Sequence, residues 1–141
     1  MAIVLLFAAV ALIVWLSSRQ PPSPLRDQEL YHRWYEMHEM CRTTPGAAIV
    51  QVANAYQRAQ RGTKAVVVWM ATGCPQDAWF ADSHPMSGSF LLVRGRTGWG
   101  PHNNNPEVLY VGPNEILYWL PPDTGLAYER HRRRVVAGLA R

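Results

Sequence analysis

The sequence predicts an α+β protein: an N-terminal single transmembrane helix, then a small domain of two helices, a roughly four-stranded antiparallel or mixed sheet and a C-terminal basic helix. Three observations predict it. An unbroken apolar run, Ala2 to Leu16, opens the chain. Helical spacing of apolar residues then fills positions 24 to 61. After Gly62 that spacing gives way to β-branched and apolar runs separated by Gly, Pro and Asn clusters.

Fifteen consecutive apolar residues cannot be left in water. As a helix, Ala2 to Ser18 would be about 25 Å long, a little under the roughly 30 Å of a hydrocarbon core. Ala2, Leu6, Val10 and Val14 would lie in the bilayer, with Trp15 and Arg19 at its interface. A cleaved signal peptide would need a basic region before the run and small residues at a cleavage site. Only the α-amino group precedes the run, and Trp15-Leu16-Ser17-Ser18-Arg19 is a poor site. Residues 1–18 are therefore expected to be an uncleaved signal anchor. Arg19, Arg26 and Arg33 all follow it, which favours a short N-terminus outside and the domain in the cytoplasm. From Leu25 to Arg141 no second run is long and apolar enough to span.

Residues 19–24 form a Pro-rich spacer, leaving residues 25–141 for one compact domain. The net charge of +4 is uneven, because from Asp123 onward five Arg face only Asp123 and Glu129. Lys64 is the single lysine among fourteen basic residues, a bias expected of a GC-rich bacterial or phage genome. Cys41 and Cys74 fit one disulfide or two thiols, and the expected orientation favours thiols.

Ser23 before Pro24 starts a helix running to about Arg42, with Leu30, Trp34, Met37 and Cys41 as its apolar stripe. Thr44-Pro45 starts a second helix, Ala47 to about Arg61, with Ile49, Val52, Tyr56 and Ala59 on one side. Ala65 to Met70 is a buried central strand. Thr72 to Gly88 is a long irregular connection, Ser89 to Val93 a second strand, and Thr97 to Pro106 a polar loop. Glu107 to Val111 and Glu115 to Leu120 form a hairpin around Gly112-Pro113-Asn114. Asp123 caps the last helix, whose thin apolar edge is Tyr128, Val135 and Leu139.

No motif names a reaction. His32, Glu36, His38, Glu39 and Cys41 share one helix, but without CxxC or HExxH spacing they predict no metal. Glycine-rich Gly95 to Gly100 does not open a helix, so no phosphate or dinucleotide cradle and no cofactor is expected. The weak catalytic candidates are Cys74 and His84. An enzyme using them on an envelope substrate is one alternative, and a phage-type lysis or envelope accessory protein acting through its anchor is another.

The stronger signal is aromatic. Trp79, Phe80, His84, Trp99, His102, Asn103, Asn104 and Asn105 place rings and amides in segments expected at the surface. They predict a recognition surface for a partner protein, itself membrane-bound, or for a sugar-like ligand. Arg130, Arg132, Arg133 and Arg134 form a basic surface. One such turn is too little for a nucleic-acid groove and suits the anionic leaflet beside an anchored domain. The expected function is thus a single-pass, membrane-anchored interaction module.

Overall fold

The computed structural model describes residues 22–97 and 107–139. The predicted anchor, the first half of its Pro-rich spacer, and Trp99, His102 and Asn103 to Asn105 lie outside the described residues. In order, the elements are α1 (Pro24–Thr43), β1 (Ala48–Ala59), β2 (Gly62–Trp69), β3 (Pro75–Ala81), β4 (Phe90–Val93), β5 (Arg96–Thr97), β6 (Val108–Val111), β7 (Ile116–Leu120) and α2 (Thr124–Leu139). Among the described residues no helix is long and apolar enough to cross a membrane.

The fold is α+β, but the sheet has seven strands, β5 contributing only two residues, where roughly four were expected. Its order is β5-β6-β3-β2-β1-β4-β7, with every pairing antiparallel except β3 with β6. Laid flat at about 4.8 Å per strand, the outermost two would stand roughly 29 Å apart. Only Arg94 and Gly95 separate β4 from β5, and only residues 112–115 separate β6 from β7. Chain that short reaches about 7–14 Å, so the sheet must curl until its ends meet. β4 and β5 are one bent strand, β6 and β7 another, and the result is a five-stranded barrel. Strand β4 returns to lie beside β1 after the β1-β2-β3 meander, which is a Greek key.

Two cores follow from strand alternation. Val50 and Val52, Ala65 and Val67, Ala78 and Phe80, Leu91 and Val93, Leu109 and Val111 point into the barrel. Ile49, Phe90, Leu92 and Leu120 point out of it and meet Leu30 and Met37 of α1 and Ala127 of α2. The stripe read from the sequence, Leu30, Trp34, Met37 and Cys41, is the one α1 packs on the barrel. Fully burying a side chain such as Met37 contributes about 1.5–3 kcal/mol.

Three expectations are corrected. The second helix, Ala47 to Arg61, is strand β1. Its register with β2 shifts between Val52 and Asn54 and again between Ala55 and Gln57. The stripe Ile49, Val52, Tyr56 and Ala59 is not one face: Ile49 packs outside the barrel, Val52 inside it, and Tyr56 and Ala59 are exposed. Each bulge inserts an extra residue, so Val52 and Ala55 both reach the barrel core at a spacing of three and the period-two alternation that marks a strand is interrupted. Thr44-Pro45-Gly46 begins no helix; the Ala47 amide donates to Thr44 O at 3.3 Å and Gly46 sits at φ 75°, as the third residue of a type II turn requires. The irregular connection Thr72 to Gly88 contains β3, whose polar Gln76, at the same parity as the buried Ala78 and Phe80, hides its alternation. Finally, β6 and β7 are not a hairpin. Residues 112–115 do turn, with the Glu115 amide donating to Gly112 O at 3.1 Å and the Gly112 amide to Glu115 Oε1 at 2.8 Å, but they turn a barrel corner and do not reverse the chain.

The helices lie antiparallel outside the β1-β4-β7 wall. Tyr31 stacks on Tyr128 at 4.9 Å between centroids, and Asp27, one turn earlier, meets Arg130 and Arg134, later in α2.

Candidate functional site

The β3–β4 connection, residues 82–89, folds across one end of the barrel, and neighbouring strands pin it. The Asp82 amide donates to Arg61 O at 2.8 Å, the Val52 amide to Ser89 O at 2.9 Å, and the Ala55 amide to Ser87 Oγ at 2.9 Å. The buried Thr63 hydroxyl lies 3.1 Å from Ser83 O and 2.8 Å from His84 Nδ1. A hydroxyl has one proton, and Ser83 O can only accept it. Both contacts are hydrogen bonds if Thr63 donates to Ser83 O and His84 Nδ1–H donates to Thr63. That tautomer leaves Nε2 with a free lone pair.

Between this connection and β7 lies a groove of about 330 Å³ lined by Ser83, His84, Pro85, Met86, Ser89, Leu91, Ile116 and Trp119. Leu91 is a buried barrel residue and Ile116 packs against the same core, so its floor is apolar. Two large side chains at the groove face solvent, Met86 at 65% and Trp119 at 55% exposure. Behind Trp119, Arg33 of α1 donates through Nη2 to its carbonyl at 3.0 Å, and Arg33 Nε reaches the Tyr118 hydroxyl at 3.3 Å. That hydroxyl donates to Glu36 at 3.0 Å. Ser89 Oγ donates to Met86 O, whereas Ser83 Oγ is buried with no hydrogen-bond partner. The groove can take an apolar side chain, and His84, exposed at its edge, offers Nε2 as a polar group.

The predicted aromatic surface is dispersed. His84 lines the groove. Phe80 points into the barrel and is fully buried, so it presents no ring to a partner. Trp79 lies on the opposite, outer side of β3, level with Lys64 of β2 and Tyr110 of β6, its ring so close to Gly62 that a Cβ there would stand 2.7 Å from Trp79 Cζ2. Cys74 is exposed just before β3 and His84 comes just after it, at opposite ends of a strand about 23 Å long. They form no catalytic pair. Cys41 and Cys74 are both free thiols.

Among the described residues no three His, Cys, Asp or Glu side chains converge as a metal site would require. On α1, His38 Nδ1 bonds Trp34 O at 2.8 Å and Glu39 pairs with Arg42. The basic run is divided: Arg130 and Arg134 turn inward to Asp27, Arg132 lies 3.6 Å from Glu129, and Arg133 is exposed.

Sequence reasoning missed Met86 and Trp119. Ile116 to Leu120 is apolar at every position, so nothing in it distinguishes the exposed Trp119 from its buried neighbour Leu120. No protein-family model matches the chain, and neither the curated proteins nor the solved structures include a significant match.

Proposed function

We propose that the chain is a single-pass, membrane-anchored interaction module whose barrel holds an apolar side chain of a partner protein in the groove between the 82–89 connection and β7. The anchor is the apolar run Ala2 to Leu16, and the basic residues after it favour a cytoplasmic domain. The observation that carries the binding reading is Met86 and Trp119, two large apolar side chains held in solvent on either side of an apolar groove of about 330 Å³. Methionine adapts to irregular partners, and tryptophan is enriched among residues that dominate binding energy. A site this small supports weak contacts; confinement of both partners to one membrane raises their effective concentration enough for a Kd of about 10 µM to suffice.

The test is a photo-crosslinking residue at position 86 of the full chain in native membranes. A discrete protein adduct that disappears with Trp119→Ala, and is not formed from a crosslinker at the exposed Thr72 in the β2–β3 turn, at the other end of β3 from the 82–89 connection, supports the groove. An adduct unaffected by Trp119→Ala sinks it.

A second reading rests on Trp79. Five-stranded Greek-key barrels of the OB type bind oligosaccharides and oligonucleotides on the face of strands 2 and 3. On this chain that face aligns Lys64, Trp79 and Tyr110. Oligosaccharides that protect Trp79 from fluorescence quenching, with loss of the effect in Trp79→Ala, would favour this face over the groove.

A further inference from the structure

Helix α2 overshoots α1. Asp27 marks where the two are level, since it bonds Arg130 and Arg134. α1 begins at Pro24, three residues before Asp27, whereas α2 continues five residues past Arg134 to Leu139. The last turn of α2 therefore has no α1 beside it. It is also apolar: Val135, Val136 and Leu139 are 45%, 61% and 83% exposed, and Leu25, in the first turn of α1 at the same end, is 78% exposed. Valine on an exposed helix surface gains nothing in helix propensity over the polar residues that usually stand there. Arg133 is exposed next to this patch, and the exposed Arg132 lies 3.6 Å from Glu129.

What lies opposite follows from the length of chain. Pro24 lies eight positions after Leu16, at most about 28 Å along a fully extended chain. With Ala2 to Leu16 in a bilayer, this end of the helix pair cannot leave the bilayer's vicinity. We infer that the tip formed by Val135, Val136, Leu139 and Leu25 docks into the interfacial layer of an anionic bilayer, with Arg132 and Arg133 against its headgroups. The inference rests on the anchor reading. It replaces a domain swinging on a tether by one held in a fixed orientation. Trp119 stands just before the other end of α2, about 24 Å from the tip along a 16-residue helix, so the groove faces away from the lipid.

The experiment uses the full chain, with Cys41→Ser and Cys74→Ser, in vesicles of phosphatidylcholine and phosphatidylglycerol. Spin labels are placed at Val136→Cys, at Leu139→Cys and, as a water-exposed reference, at Gln60→Cys. The expected result is that labels 136 and 139 relax faster with oxygen than with a water-soluble nickel chelate, that label 60 shows the reverse, and that adding Leu25→Glu returns label 139 toward water. Labels 136 and 139 as open to nickel as label 60 would overturn the inference, as would protection from both reagents, which would mean that protein covers the tip. Alkaline carbonate extraction of the same vesicles separates the two readings. Release of the chain defeats the anchor and the docked tip together, whereas retention with water-exposed labels defeats the tip alone.

Discussion

Asp27 Oδ1 and Oδ2 accept hydrogen bonds from Arg130 at 2.8 and 2.9 Å, joining the first turn of α1 to the middle of α2 across a buried contact. Arg134, one turn later, adds a third bond at 2.9 Å. The carboxylate is fully buried, while both guanidinium groups stay partly in water, so the anion is desolvated and the cations only in part. Arg26 and Asp123 make a second, reciprocal pair between α1 and the start of α2. The apparent basic surface of α2 is in good part a clamp.

Removing the cation should therefore cost more than removing the anion. Arg130→Ala leaves Asp27 buried with one partner and should destabilise the fold by about 3–5 kcal/mol. Asp27→Leu, which leaves only cations able to reach water, should cost clearly less. Urea unfolding of the detergent-solubilised full chain, followed by tryptophan fluorescence, orders the two; the reverse order would mean that the site does not desolvate its anion.

The clamp also sets an acid limit. The hydrogen bonds from Arg130 and then Arg134 hold the Asp27 carboxyl below its usual range, and the Arg26 hydrogen bond does the same for the more exposed Asp123. A depressed folded-state pKa means stability that is complete above the unfolded value, near 3.9, and lost as pH falls through the lower folded value. The protein should hold nearly constant stability from pH 7 to about 5 and lose it below about 4. In Asp27→Asn this acid loss should shrink, as read from urea midpoints across the series.

Legibility in the sequence followed how local each determinant is. Leu30, Trp34, Met37 and Cys41 pack on the barrel as their spacing implies, because nothing interrupts the helical period. In β1 the same rule misleads, since the bulges after Val52 and Ala55 interrupt the alternation that would mark a strand, and the helical spacing of Ile49, Val52, Tyr56 and Ala59 joins residues from opposite faces. The turn residues 112–114 are correctly recognised as a turn, but only the pairings of β6 with β3 and β7 with β4 decide whether it reverses the chain. Of the aromatic candidates, Trp79 and Phe80 are adjacent, and strand alternation sends one outside and one inside. Met86 and Trp119 stayed invisible because an apolar residue's exposure is a tertiary property.

Groove residues should be separable from folding residues. Met86→Ala and Trp119→Ala remove solvent-exposed side chains and should change stability by no more than about 1 kcal/mol. Both should abolish the position-specific adduct expected of the groove, Met86→Ala being read from a crosslinker moved to Pro85. A large fall in stability instead would assign these side chains to packing.

His84 should be the Nδ1–H tautomer near pH 8, because Thr63 ties Nδ1 to Ser83 O through one hydroxyl. Nitrogen-15 imidazole shifts report this directly. Thr63→Val removes the hydroxyl from a fully buried position, leaving a carbonyl and a ring nitrogen without it. The cost should be about 1–3 kcal/mol, and the His84 tautomers should become mixed. Unchanged shifts in the variant would show that Thr63 does not orient the ring.

Barrel closure makes the sharpest demand on Gly95, at the bend between β4 and β5. A Cβ there would lie 2.7 Å from Leu109 Cδ1 and 3.0 Å from Tyr110 O. Leu109 is buried inside the barrel, and Tyr110 O is backbone of the paired strand β6, which cannot shift without disturbing the sheet. Gly95→Ala should thus force the two bent strands apart and cost about 1–3 kcal/mol. Gly125, near the start of α2, offers the contrast, since a Cβ added there meets nothing within 4 Å. Gly125→Ala should be neutral or stabilise by up to about 1 kcal/mol through lost unfolded-state freedom. The two substitutions add the same methyl group, so opposite signs in urea unfolding would isolate the closed bend as the cause. Equal effects would mean that β4 and β5 are not pressed against β6 as a closed barrel requires.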